Sequence, residues 1–151
     1  MKGTILYAEY DEGTGVSTVI KATKYGTFKR SVRVHPEDED IANQYDGCMF
    51  AEIKCDIAAY QEKAKFLRER AKGIEHAFNV LSNADAQRAD YKLDGMKQEW
   101  YDLYHQMDIA YARAEDAFET YTLLRDSYKA LVEHNLKTRR KIRKRTSKNS
   151  E

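Results

Sequence analysis

Two long rows of apolar residues, spaced alternately by four and three positions, run through the last two thirds of the sequence. The first row is Phe50, Ile53, Ile57, Tyr60, Ala64, Leu67, Ala71, Ile74, Phe78 and Leu81. The second row is Leu93, Met96, Trp100, Leu103, Met107, Ala110, Ala114, Ala117, Tyr121, Leu124, Tyr128 and Leu131. An average step of about 3.5 residues places each row on one stripe of a helix that coils around a partner. The rows therefore predict two long paired helices, over residues 49–81 and 84–136.

The turn of this hairpin has two candidate positions. Ser82 with Asn83 forms one break signal, and Asp94 with Gly95 forms another, so both remain open. The second helix is predicted to be longer than the first by about 15–20 residues, or ~25 Å at ~1.5 Å per residue. Leu124, Tyr128 and Leu131 lie in this excess, which predicts either a homodimer or packing against the rest of the chain.

The first part of the chain has the pattern of a small antiparallel sheet. Residues 4–10, 16–22 and 27–34 are rich in β-branched and aromatic residues, and glycine-containing turns separate them. In the third run Phe28, Arg30, Val32 and Val34 alternate with polar residues, as expected for a sheet with one solvated face and one face on a helix. Residues 36–46 predict a short acidic helix that Gly47 ends.

These patterns together predict an α+β fold, mostly helical, with a small N-terminal antiparallel sheet followed by a long antiparallel, coiled-coil-like helical hairpin. The expected organisation has three parts. Residues 1–47 form the three-stranded sheet with the short acidic helix, residues 48–136 form the hairpin, and residues 137–151 form a basic tail without a core pattern, which we expect to be disordered.

The tail is the strongest sequence signal for nucleic acid. Between Lys137 and Glu151 there are eight Lys or Arg and one acid in a chain whose formal net charge is +1, so the remainder is acidic. Cations at this density can neutralise phosphates and release counterions. The candidate nucleic-acid-binding residues are Arg139, Arg140, Lys141, Arg143, Lys144 and Arg145. A solvated helix end, whose cations meet the negative end of the helix dipole, explains the same residues equally well.

Two further groups are candidates for contact with a protein partner. The acidic group is Glu37, Asp38, Glu39, Asp40, Asp46, Glu52 and Asp56, which either caps a helix or offers carboxylates that resemble phosphates. The aromatic group is Tyr104, Tyr111 and Phe118, which flanks the second apolar row at steps of seven. The eleven tyrosines of the chain serve either to fill helix seams or to make such surfaces.

No recognised catalytic, cofactor or metal pattern occurs in the sequence, so we expect a binding or structural protein and not an enzyme. His105 near Asp108, and His134 beside Glu133, match no metal motif. Cys48 and Cys55 lie seven residues apart on one predicted helix, about 10 Å along it, too far for a mutual disulfide. We expect reduced thiols, no signal peptide, no membrane span and a cytoplasmic location.

One stretch resembles a known group of proteins. Gly26-x-Phe28, then Val32-x-Val34-x-Pro36-x-Asp38, then Gly47 and Ala51, is similar to the opening of small accessory proteins of temperate phages of Firmicutes. Their plan of a sheet followed by two helices is shared by the phage Thoeris-inhibitor family, which sequesters a cyclic nucleotide signal. The resemblance implies phage origin and a counter-defence role through stoichiometric binding.

Three functions follow as hypotheses. The first is an anti-CRISPR-like inhibitor, which binds a host nucleic-acid-targeting defence protein, or its nucleic-acid complex, through acidic and helical surfaces in the host cytoplasm. The second is a sponge for a cyclic-nucleotide-type defence signal. The third is a coiled-coil nucleic-acid-binding or scaffold protein that uses its basic tail.

Overall fold

A computed structural model describes residues 1–33, 44–86 and 93–149 of the chain. Its helical side chains at positions 44–46, 85–86, 93–97, 135–136, 138–140, 142–143 and 145–149 lie outside that description. The elements in chain order are β1 (Gly3–Asp11), β2 (Val16–Thr23), β3 (Gly26–Arg33), α1 (Gln44–Ala86) and α2 (Leu93–Asn149). The predicted α+β fold, with a three-stranded antiparallel sheet followed by a helical hairpin, is confirmed.

The sheet has β2 at its centre, with β1 and β3 antiparallel on its two sides. Asp11 organises the first turn, because its side-chain Oδ1 accepts a bond from Gly13 N at 2.9 Å and its carbonyl accepts one from Gly15 N at 2.7 Å. Gly15 and Gly26 adopt φ values of 70° and 138°, which residues with a Cβ rarely take. The predicted glycine turns therefore form where the backbone needs them.

One face of β2 packs against α1. Ser17, Val19 and Lys21 alternate along the strand and are all buried, whereas their neighbours are only half-buried. Val19 forms the centre of the core together with Ala51 and Cys55 of α1. The side chains of Phe28 and Val32 on β3, and of Cys48 on α1, pack around this core. The predicted inward direction of Phe28 and Val32 is confirmed.

The chain separates into two compact units. One contains Met1–Tyr60 with Tyr121–Glu151, and the other contains Gln61–Thr120. Within the first unit, the rings of Phe50 and Tyr128 meet edge to face, with centroids 6.2 Å apart. Within the second unit, Glu75 contacts Tyr111 and Phe78 contacts Tyr104. Residue numbers therefore increase along α1 in the direction in which they decrease along α2, as in an antiparallel pair.

The two apolar rows form the buried seams of the helices, as predicted. Every residue of the first row is buried or half-buried, and its small residues Ala64 and Ala71 are 8% and 0% exposed. In the second row Ala114 and Ala117 are buried, and Leu131 is the one described member that is exposed, at 37%. Small residues at these positions allow the helices of a pair to approach closely.

The predicted helix boundaries need correction. α1 begins at Gln44 and ends at Ala86, so Gly47 does not stop a helix, and Ser82 and Asn83 do not form the turn. The Ser82 hydroxyl donates to the carbonyl of Asn79 at 3.2 Å, so this side chain is accommodated within the helix. α2 begins at Leu93, so Asp94 and Gly95 lie in its first turn and not in the connection.

The expected disorder of residues 137–151 is also wrong for most of the segment, because α2 continues to Asn149. Lys and Arg are good helix formers, and this stretch contains neither Gly nor Pro, so an established helix can extend through it. The short acidic helix proposed for residues 36–46 lies mostly outside the described residues.

The end of the second apolar row was predicted to lack a partner within the chain, but Tyr128 has one. Tyr128 packs on Phe50, and Leu124 is half-buried, because α1 continues to Ala86 and α2 begins only at Leu93, which shifts the pairing of the two helices along the chain. The excess length of the second helix therefore no longer supports the predicted homodimer.

Candidate binding surfaces

Two of the predicted partner-binding acids, Glu52 and Asp56, belong to an ion cluster around the buried Lys21. Lys21 is 4% exposed, and its Nζ donates to Asp56 Oδ1 at 2.8 Å, to Glu52 Oε1 at 3.1 Å and to the carbonyl of Met1 at 2.8 Å. These three acceptors use all three protons of the ammonium group. Both carboxylates therefore hold an internal lysine, and the assignment of Glu52 and Asp56 to a partner surface stays a prediction.

The ion cluster favours the charged form of Lys21. Burial alone would lower the pKa of Lys21, but the hydrogen bonds to Asp56 and Glu52 and their charges outweigh it, and the pKa is raised above 10.5. A raised pKa means that the folded state favours the charged lysine more strongly than the unfolded chain does. The lysine is a structural link between β2 and α1.

The two cysteines are free thiols with different surroundings. Cys55 is fully buried, and its Sγ lies 3.4 Å from the carbonyl of Phe28 and 3.6 Å from that of Val19. Burial raises the pKa of the Cys55 thiol, so this side chain is poorly suited to nucleophilic chemistry. Cys48 is half-buried at the edge of the same core.

The remaining predicted acids are not placed by the structure. Glu37, Asp38, Glu39 and Asp40 lie outside the described residues, and so does the side chain of Asp46. Their assignment to a partner surface stays a prediction.

A different acidic surface lies on α2. Asp108, Glu115, Asp116 and Glu119 are all exposed, on the side of the helix away from the buried Ala114 and Ala117. We refer to these four residues as the α2 acidic patch. The sequence analysis did not identify it, because only Glu115 and Asp116 of the four acids are consecutive and no long acidic run marks the patch. Their signal is helical spacing, since Asp108, Glu115 and Glu119 are separated by seven and four residues.

The predicted aromatic residues flank this patch. Tyr104, Asp108, Tyr111, Glu115 and Phe118 follow one another at steps of four and three, which places aromatic and acidic side chains side by side. Tyr104 is 48% exposed with its ring tilted against Phe78, and Phe118 is 57% exposed.

Tyr111 differs from its two neighbours, because its hydroxyl donates to the Glu75 carboxylate within the hairpin. This bond raises the pKa of Tyr111. Tyr104 and Phe118 are therefore the more open members of the aromatic group.

Part of the predicted nucleic-acid-binding group is visible at the end of α2. Lys141 and Lys144 are exposed, as is Lys137, and steps of four and three place the three lysines along one side of the helix. The side chains of Arg139, Arg140, Arg143 and Arg145 lie outside the described residues.

Searches for similar proteins add no relative to these observations. Neither family models, nor curated proteins, nor solved structures gave a significant match to the chain. Among the described residues, no three His, Cys, Asp or Glu side chains are grouped so that they could hold a metal ion. Within the same residues, neither helix combines the length and the apolar character that crossing a membrane requires.

Proposed function

We propose that this protein is a phage-encoded counter-defence protein that acts by stoichiometric binding. Its target in the host cytoplasm is a nucleic-acid-targeting defence effector of the CRISPR kind, alone or in complex with its nucleic acid. The α2 acidic patch carries the proposal, because four exposed carboxylates on a rigid helix can occupy a cationic groove that normally receives phosphates. The resemblance of residues 26–51 to phage accessory proteins supports the same origin.

The density of charge on the patch suits such a role. The stretch from Asp108 to Glu119 spans ~16 Å of helix at ~1.5 Å per residue, which gives about one carboxylate every 5 Å. For comparison, one DNA strand carries a phosphate every ~3.4 Å along the helix axis. Complementary charge of this kind accelerates encounter and sets the register of binding more than it adds affinity.

The flanking aromatic side chains would supply the affinity that charge alone does not. Tyrosine is enriched among the residues that dominate binding energy in protein interfaces, and aromatic rings in general bury much apolar area. Tyr104 and Phe118, half exposed beside the acidic patch, can insert between the cationic side chains of a partner.

The test is phage plaquing on bacterial strains that each carry one defined nucleic-acid-targeting effector. We expect the protein to restore plaquing on at least one strain, and the four-residue variant Asp108→Asn, Glu115→Gln, Asp116→Asn, Glu119→Gln to reduce that effect at least tenfold. A matched variant with Glu62→Gln, Glu69→Gln, Glu99→Gln and Asp102→Asn changes the net charge equally and should retain the effect.

Two outcomes would contradict the proposal. The first is a protein that restores plaquing on none of the strains and captures no effector when purified from them. The second is an acidic-patch variant that remains folded by circular dichroism and protects the phage as well as the parent. The second outcome would show that the α2 acidic patch is not the binding surface.

A second candidate function, nucleic-acid binding, is favoured by the row of exposed lysines at Lys137, Lys141 and Lys144. A helix that presents cations at regular spacing can follow a phosphate backbone. If the basic end of α2 binds duplex DNA, log affinity should fall with log salt at a slope near −0.9 per phosphate contact. Replacing the six predicted residues from Arg139 to Arg145 with Gln should remove the binding. No binding at low salt would leave this end as a solvated helix terminus.

We also propose that the protein forms a homodimer through the edge strand β1. A bulge between Ile5 and Tyr7 interrupts the pairing with β2, and Leu6 is 61% exposed on this edge strand. An antiparallel pair of β1 strands from two copies would place Lys2 of each copy near Asp11 of the other. Light scattering should then give twice 17.6 kDa, and Leu6→Lys should return the monomer, whereas Leu123→Lys, at a site 69% exposed on α2, should not. A monomeric parent would exclude this dimer.

A further inference from the structure

A shallow groove of about 310 Å³ runs between the two helices within the unit Gln61–Thr120. Helix α1 lines it with Leu67, Arg70 and Ile74, and helix α2 lines it with Gln106, Ile109, Ala110 and Arg113. Apart from the adjacent pair Ile109 and Ala110, the residues within each set are three, four or seven positions apart, so each helix contributes one face. We refer to the apolar lining residues, which are Leu67, Ile74, Ile109 and Ala110, as the floor of the groove; the three polar lining residues are all exposed.

The two arginines make this groove unusual. Arg70 and Arg113 are both exposed, and neither lies within 4 Å of a carboxylate among the residues that the structure describes. Other cations of the same helix have such partners, since Lys65 bonds Glu62 and Lys72 bonds Glu69, each at 3.4 Å. Two guanidinium groups that border one groove repel each other, and an anion between them would offset that repulsion.

We propose that this groove binds a small phosphate ester of a planar aromatic group. A phosphate monoester carries a charge of about −1.5 to −2 at neutral pH, which matches two guanidinium groups. Each guanidinium can offer two parallel N–H donors to phosphate oxygens, a geometry that a lysine cannot reproduce. The groove lies at the small end of the ~300–1,000 Å³ range of ligand sites, which favours a compact ligand.

The floor accounts for the aromatic part of the ligand. Ile74 and Ile109 present aliphatic surface, and Ile109 is 40% exposed in the absence of a ligand, so a flat ring lying on them would remove apolar area from water. The Gln106 amide at the same groove offers one acceptor and two donors to polar atoms on the ring. An inorganic anion would use the arginines but leave this surface uncovered.

The groove and the α2 acidic patch do not depend on each other. The patch comprises exposed acids and takes a cationic partner, whereas the groove takes an anion. A result at one surface therefore leaves the other proposal standing.

Calorimetric titration of the full chain tests the inference with four probes: adenosine 5′-monophosphate, phenyl phosphate, adenosine and inorganic phosphate. We expect the two aromatic phosphates to bind at least tenfold more tightly than adenosine or inorganic phosphate. The tighter of the two aromatic phosphates then indicates the ring size that the floor accepts. If inorganic phosphate binds as tightly as either ester, or if neither ester binds at millimolar concentration, the inference is wrong.

Matched variants locate the binding. Arg70→Gln and Arg113→Gln should each weaken the binding of the better ester at least tenfold, and the double variant should abolish it. The control Lys65→Gln with Lys72→Gln removes the same charge from the hairpin without altering the groove, and it should bind as the parent does. Methyl resonances of Ile74 and Ile109 should shift on titration. Equal losses in the control, or shifts elsewhere without shifts at these two residues, would overturn the site.

Discussion

Gly47 of α1 lies so close to Ser17 of β2 that a Cβ built on the glycine would overlap the Ser17 hydroxyl and crowd its Cβ. The contact explains why a glycine stands inside a helix, where it is about 1 kcal/mol less favourable than alanine. The absence of a side chain lets the helix backbone approach the central strand, next to the core formed by Val19, Ala51 and Cys55.

Gly47→Ala should therefore destabilise the protein, by roughly 1–3 kcal/mol in the free energy of unfolding, because the added methyl group overpacks the contact. Urea unfolding followed by circular dichroism measures the change. The control is Gly73→Ala on the same helix, where a Cβ would meet nothing within 4 Å. That substitution should stabilise the protein by up to ~1 kcal/mol. Combining Gly47→Ala with Ser17→Gly should recover part of the loss, and no recovery would mean that the strain lies elsewhere.

Lys21→Met should weaken folding at neutral pH, because Asp56 keeps its partly buried position without its principal partner. The cost should be about 1–3 kcal/mol, the usual penalty for a buried group that loses its hydrogen bond. Lys29→Met, on an exposed residue of β3, should have little effect. Thermal unfolding at pH 7 distinguishes the two, and equal melting temperatures would contradict a structural role for the ion cluster.

The same lysine predicts a pH dependence at the alkaline end. Because the pKa of Lys21 is raised in the folded state, its stabilisation is complete below the unfolded value near 10.5 and is lost as pH rises through the higher folded pKa. The difference in melting temperature between parent and Lys21→Met should therefore be constant at neutral pH and shrink above it, in the strongly alkaline range. The difference between the two melting curves is the quantity to follow, because it removes the response to pH that the two proteins share. A difference that grows with pH would contradict the assignment.

Ala114→Leu should also destabilise the protein, by roughly 1–3 kcal/mol, since Ala114 is 7% exposed in the helix seam and a larger side chain overpacks it. Ala112→Leu is the matched control on the same helix, because Ala112 is exposed and surface changes usually stay within about 0.5 kcal/mol. Melting temperatures of the two variants give the comparison. If both are unchanged, the seam does not hold the helices at this position.

The thiols should differ in reactivity. Cys55 is fully buried with a raised pKa, so iodoacetamide should modify Cys48 alone in the native protein and both cysteines in denaturant. Mass spectrometry of tryptic peptides reads out the two sites. Equal native labelling would indicate that the core around Val19 opens readily.

Much of the fold could be predicted because local spacing specifies it. The 4-3 rows identified the buried seams residue by residue, and the alternation in β3 gave the inward direction of Phe28 and Val32. These features follow from the periods of a helix and a strand, which any sequence displays directly. The candidate binding surfaces were harder to predict from the sequence. The acids at Asp108, Glu115 and Glu119 have the same helical spacing, but charged residues at this spacing are common on any solvated helix face, so the spacing does not by itself indicate a binding surface.

The sequence by itself determined the element types, the strand count and the stripe that each helix buries, because those depend on the order of residues along the chain. Only the tertiary structure decided that Gly47 serves a close helix–strand contact, that Glu52 and Asp56 bind Lys21 within the protein, and that Arg70 and Arg113 border one groove. Each of these three arrangements brings together residues that are at least thirty positions apart in the sequence. No local period can predict such proximity, because it depends on how the packed elements bring distant side chains together.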